Sequence, residues 1–161
     1  ADGAWLYATE GSGEGFIDNF HTAFVLKNLY KINQRLKNPA VDAAVKKGWE
    51  FYRRELFDAA GDPKSFAIEP RKQIVKLEMY NFAEAITLGA LLKDFIPDAF
   101  DLAQSLAGKL CGKYQLPDGH FVTRVFKKGF KHTFPFLRWP QAQLFYALTN
   151  LLYASQKGAQ Q

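Results

Sequence analysis

The sequence predicts an all-α fold, a toroid-like arc of helical hairpins carrying short β-hairpin arms, on three observations. A turn, a short pair of strands and a helix recur along the chain. The helices alternate between apolar nearly all round and apolar along one stripe, as concentric rings demand, since an inner helix touches protein on every side and an outer helix on one. The recurrence has a spacing of roughly 56 to 60 residues, the scale of repeat architectures in which each unit covers its neighbour's face.

The elements follow in order. Asp2-Gly3-Ala4-Trp5-Leu6-Tyr7 reads as a turn and a short alternating strand. After a glycine-rich turn from Gly11 to Gly15, taken as a hairpin tip, Phe16-Ile17 returns antiparallel into Asp18. A first helix is expected from about Asp18 to Leu36, with Phe20, Ala23, Phe24, Leu26, Leu29, Tyr30 and Ile32 spread around most of it, the mark of a buried helix. Asn38-Pro39 supplies a cap and a first-turn proline for a second helix reaching about Phe57. Its stripe is Val41, Ala44, Val45, Gly48, Trp49, Tyr52 and Leu56, with Lys46, Lys47, Glu50, Arg53 and Arg54 largely off it.

The pattern restarts at Asp62-Pro63-Lys64-Ser65-Phe66-Ala67 and returns through Gln73 to Leu77, so that Glu78 follows Asp62 by sixteen positions as Asp18 follows Asp2. A third helix, about Tyr80 to Lys93, is again apolar nearly all round. A fourth, opened by Pro97-Asp98, carries one stripe of Phe100, Ala103, Leu106, Ala107 and Leu110. A third copy starts at Asp118-Gly119-His120-Phe121, returns through Thr133 to Trp139, and leads into a fifth helix from Pro140 to about Tyr153. The reading is one toroid domain over 1–161 with units of about 1–60, 61–116 and 117–161. The fifth helix is of the inner type with no later segment to cover it, and Ala1 begins in phase with a repeat without an initiator Met. Part of a larger toroid is therefore expected, completed by a preceding N-terminal half or by a second copy on the open edges.

Composition narrows the function. A chain of 161 residues, 48% hydrophobic and 23% charged, can bury a real core. Its apolar runs break well short of the roughly 20 residues of a membrane span, and no charged-then-apolar leader opens it. The chain reads as soluble, with the cytoplasm slightly favoured. A net charge of +5 favours anionic partners. The Lys46-Lys47, Arg53-Arg54 and Lys127-Lys128 pairs are dispersed, so no nucleic-acid partner is expected. Cys111 is the sole cysteine and lies in an amphipathic pattern, which predicts a buried thiol. His21, His120 and His132 are far apart and meet no metal-ligand spacing, and no phosphate loop, nucleophile elbow or dinucleotide fingerprint occurs, so neither metal nor cofactor is expected.

Five stretches carry a resemblance: Asp18-Asn19-Phe20-His21-Thr22, Gly48-Trp49-Glu50-Phe51-Tyr52 through Leu56-Phe57 and Gly61-Asp62-Pro63-Lys64, Asp118-Gly119-His120-Phe121, and Arg138-Trp139-Pro140-Gln141-Ala142. In order and spacing they resemble the C-terminal half of the bacterial six-hairpin α/α-toroid proteins of polysaccharide gene clusters, themselves similar to six-hairpin glycosidases and toroid polysaccharide lyases. The family usually has Gly where this chain has Ala23, and an Asp-x-His step where it has Glu78-Met79-Tyr80.

The resemblance implies a cleft at the N-termini of the inner helices. The side chains there are Asp18, Asn19 and His21; Glu78, Tyr80, Asn81 and Glu84; and Arg138, Trp139 and Gln141. Asp18, His21, Glu78, Tyr80 and Arg138 are the catalytic candidates. A His or Tyr can abstract the proton beside a uronate carboxylate that Asn or Arg neutralises, as in a polysaccharide lyase, or Asp18 and Glu78 can form the acid and base pair of a glycoside hydrolase. Asn19, Asn81, Glu84, Trp139 and Gln141 are the substrate-binding candidates. Asp18 and Glu78 also read as plain helix caps and Tyr80 as a buried aromatic. The expected function is action on, or binding of, an acidic bacterial polysaccharide or oligosaccharide. The alternative is a non-catalytic toroid scaffold or binding module in polysaccharide biosynthesis or export.

Overall fold

The computed structural model describes residues 2–8 and 15–158. The glycine-rich tip expected from Gly11 onward lies, apart from Gly15, outside these residues. Among them the chain is mostly helical, with small antiparallel sheets, and so is not strictly all-α. It divides into two compact units, Ala1–Gln73 and Ile74–Gln161.

In the first unit, β1 (Ile17–Asp18) leads into α1 (Asn19–Leu36), and α2 (Pro39–Glu55) packs on α1. Asp18 is the N-cap: it is extended, and its carboxylate accepts the His21 amide N–H. Lys37 ends α1 in a left-handed conformation, φ 54°, closing the last turn through its N–H to the Asn33 carbonyl. Buried Asn33 wires the turn between the helices, donating from Nδ2 to the Asn38 carbonyl (2.9 Å) and to Asp42 Oδ1 (2.6 Å) while Oδ1 accepts the Asn38 N–H (2.8 Å). The Asn38 side chain caps α2 as its position before Pro39 predicts.

The stripe of α2 buries Val45, Gly48, Trp49 and Tyr52, with Leu56 just beyond, while Lys46, Lys47, Glu50 and Arg54 are exposed. Helix α1 departs from the all-round burial expected of it. Ala23 and Leu26 are buried, but Phe24 and Leu29 are only half-buried and Ile32 and Leu36 are exposed, because part of its apolar face lines an open cavity. The return strand of the first arm pairs with the outgoing strand of the second: β1 lies antiparallel to β2 (Phe66–Ile68), Ile17 opposite Ile68 and Asp18 opposite Phe66, with a bulge between the pairs. The first arm itself is joined by the Tyr7 N–H to the Phe16 carbonyl at 2.9 Å.

The second unit is built on α3 (Met79–Leu91), against which α4 (Ala99–Lys109) and α5 (Ala142–Gly158) both pack. Helix α3 is buried nearly all round, as an inner helix should be. Met79, Phe82, Ile86 and Leu88 are fully enclosed, each contributing about 1.5–3 kcal/mol by removal from water. Its approach to α4 is close: a Cβ on Gly89 would stand 2.4 Å from the Ala99 carbonyl oxygen. The buried stripe of α4 is Ala99, Leu102, Ala103 and Leu106, continued by Leu110, with Phe100 half-buried beside it.

After Lys109 the helix widens into a π-type turn, Leu110–Tyr114, that buries Leu110 and Tyr114. Cys111, the next residue round from Leu110, is exposed, against the expected buried thiol. A second such turn, Leu137–Gln141, broken where Trp139 is extended, precedes α5, so the fifth helix starts at Ala142 rather than Pro140 and runs past Tyr153. Strands β3 (Val75–Glu78), β4 (Arg124–Phe126) and β5 (Lys131–His132) form an antiparallel sheet in that order, again with a bulge in the strand that enters an inner helix.

Candidate functional site

The first unit places its polar corner where strand, cap and helix meet. Asp18 is buried and uses both carboxylate oxygens: Oδ1 accepts the His21 N–H at 2.8 Å and Oδ2 lies 2.6 Å from His21 Nδ1. With the proton on Nδ1, His21 donates to Asp18 and keeps the Nε2 lone pair. The imidazole is 38% exposed and wedged among rings, with Tyr7 edge-on at 4.7 Å and Phe20 tilted at 4.1 Å. A cavity of about 380 Å³ lies on the side of Trp5, Asn28 and Ile32, and another of about 490 Å³ on the side of Phe16, Phe66 and Pro70. Asp18, His21 and Tyr7 line both.

Asn19 is different. It is fully buried, its Nδ2 donates to the Leu56 carbonyl (3.2 Å) and its Oδ1 accepts the Tyr52 hydroxyl (2.7 Å), so its amide braces α1 against α2 instead of facing a ligand.

In the second unit Glu78 occupies the N-cap position of α3 without a side-chain cap bond. Its Oε2 instead accepts from Arg124 Nε at 2.6 Å, its opposite number on β4. Arg124 in turn stands opposite His132 on β5, so the three form a row on one face of the sheet. Burial pushes the Glu78 carboxyl above the usual carboxylate range, opposed by the Arg124 guanidinium and more weakly by His132. Glu78 Oε1 and His132 Nδ1 are both buried without a hydrogen-bond partner among the described residues.

Tyr80, Asn81 and Glu84 are buried on α3. Tyr80 is covered by Trp139, stacked on it at 3.7 Å and 28°. Trp139 is 39% exposed and lines, with Arg138, Arg124, Thr123, Phe136 and Leu137, a cavity of about 470 Å³. Gln141 brackets the Phe121 backbone, accepting its N–H at 3.0 Å and donating to its carbonyl at 2.7 Å. Like Asn19, it is a structural amide.

The sequence-predicted residues thus gather as Asp18 with His21 in the first unit and, in the second, as Arg138 beside Trp139 with Tyr80 stacked on it, Glu78 being linked to the same cavity only through Arg124. Arg124 was missed: the signal is its opposite charge to Glu78, and the register that pairs them cannot be read along the chain.

No family model and no curated protein matches the chain. A solved structure does. The fold is shared with a D-mannose isomerase, at a TM-score of 0.72 over 88% of this chain and 11% identity. The chain spans 38% of the length of that isomerase chain. At this identity the likeness concerns the fold. No helix among the described residues is long and apolar enough to cross a membrane, and no group of metal-binding side chains is present among them.

Proposed function

We propose that this chain is a carbohydrate-processing protein, an arc of an α/α toroid built from repeats of about 1–60, 61–116 and 117–161, whose chemistry is centred on His21. The observation that carries this reading is the Asp18–His21 pair at 2.6 Å, set between two aromatic-lined cavities. A buried carboxylate fixes the imidazole tautomer and steadies the cation that forms when Nε2 takes a proton, the arrangement needed to abstract a proton next to a sugar carbonyl or carboxylate. The fold shared with a D-mannose isomerase supports a sugar as the substrate. The net charge of +5 supports an acidic poly- or oligosaccharide. Additional helices, from a longer chain or a second copy, complete the toroid in this reading.

The test offers the chain a panel of acidic and neutral oligosaccharides and free D-mannose, following new reducing ends, unsaturated products and aldose–ketose interconversion. Turnover abolished by His21→Asn, whose amide N–H₂ can take the place of Nδ1–H on the buried Asp18 carboxylate, with the protein still folded, is the expected result. Turnover indifferent to His21 would overturn the assignment. A second reading, a non-catalytic binding module, draws on the second unit, where Glu78 is held by Arg124 and Tyr80 lies beneath Trp139. Saccharide binding without turnover would favour it.

A further inference from the structure

We infer that the cavity lined by Arg124, Arg138 and Trp139 is a binding pocket for an acidic sugar unit, a hexuronate. It rests on the carbohydrate reading above for its sugar ring, and on the geometry of the second unit for its charge. Arg124 is held from behind: Nε is committed to Glu78 at 2.6 Å. Its two terminal nitrogens have no partner among the described residues, and neither has the Arg138 guanidinium. Two arginines with donors to spare therefore line one cavity of about 470 Å³, and a planar fork of donors matches a carboxylate oxygen for oxygen.

Trp139 provides the other half of the recognition. One face of its indole is fixed against Tyr80 at 3.7 Å, and the ring still lines the cavity at 39% exposure. An aromatic plate held rigid from one side presents a C–H-binding surface to a pyranose ring at little entropic cost. Thr123 and Phe136 close the wall. The half-buried Glu78 carboxylate holds Arg124 in place and is a positioning residue.

Titration calorimetry tests this with D-glucuronate as the probe, methyl glucoside as the neutral control and sodium sulfate as the bare anion. Glucuronate is expected to bind at least about tenfold more tightly than either control, the scale of a charge-assisted hydrogen bond combined with ring stacking. Arg138→Ala, an exposed change, and Arg124→Lys, which keeps the ion pair but loses the fork, should each weaken glucuronate about tenfold or more at an unchanged melting temperature. Trp139→Leu should weaken glucuronate and leave sulfate untouched. Equal binding of glucuronate and methyl glucoside, or wild-type affinity in both arginine variants, would overturn the pocket. Sulfate binding as tightly as glucuronate would overturn its sugar specificity. The two proposals fail separately. Arginine-dependent glucuronate binding with no turnover of any saccharide would sink the catalytic reading alone, and His21-dependent turnover that ignores both arginine variants would sink this one alone.

Discussion

Asp18 holds His21 through both oxygens, one capping α1 by way of the His21 amide N–H and one meeting the imidazole. Substitutions should separate the roles. Asp18→Asn can keep the cap through its carbonyl oxygen but offers His21 an N–H₂ group, which forces Nδ1 to accept and moves the imidazole proton to Nε2. Turnover is then expected to fall about 100-fold or more, the usual weight of a general base, with little change in melting temperature. Asp18→Ala removes the cap as well and should cost about 0.5–2 kcal/mol in denaturant unfolding. Glu78 has a different signature. Burial raises its carboxyl, so the native state holds that proton more tightly than the unfolded chain does. The stability it confers is fully present below the unfolded value near 4.5 and is lost as pH rises through the raised native value. Relative to Glu78→Gln, the wild-type protein should lose stability as pH climbs from below 4.5 toward neutrality, and a constant difference between the two denaturation series would contradict this. The Asp18 cap was legible because cap and helix are adjacent in sequence. The roles of Asn19, Gln141 and Glu78 were not, since each is decided by a partner 20 to 46 positions away.

Among the elements, the helices were readable and the strand partners were not. Periodicity located α1, α2 and α3 to within a few residues, because burying a face is a property of the helix itself. Strand pairing is a choice among edges. The sequence suggested self-contained hairpin arms, whereas β1 pairs with β2 and β3 with β4, leaving β4 with β5 as the hairpin. Glycines mark two close approaches. A Cβ on Gly48 would lie 2.3 Å from the Trp5 ring, so Gly48→Ala should dislodge Trp5 from the cavity wall beside His21 and lower turnover. At Gly89 the obstacle is the Ala99 backbone, which cannot swing aside. There the gain in helix propensity, about 1 kcal/mol, should be outweighed by overpacking of about 1–3 kcal/mol or more. A melting temperature that rises in Gly89→Ala would refute the packing.

At the scale of the whole molecule, α5 carries a face that water touches. Leu144, Ala147, Leu151 and Ala154 are buried, while Phe145, Tyr146, Leu152 and Tyr153 are exposed. Such a face predicts that the 161-residue chain binds an apolar dye and self-associates with concentration, and that Phe145→Glu with Leu152→Glu reduces both; light scattering of the two proteins checks it. The alternation of enclosed and striped helices was visible in the sequence, but α1 and α5 show how far an inner-type pattern can stand uncovered in this chain. The pairing of β1 with β2 also bears on the order in which its parts become available. On a ribosome adding about 5–20 residues per second, Ile17 waits seconds for Ile68 to be made, and Asn19 waits equally for the Ser65 carbonyl that its N–H meets at 3.0 Å. By then the whole sequence of α1 and α2 has been made. The Asp18–His21 pair draws only on neighbours along the chain, whereas the strand that positions the backbone of Asp18 is delivered by residues made seconds later.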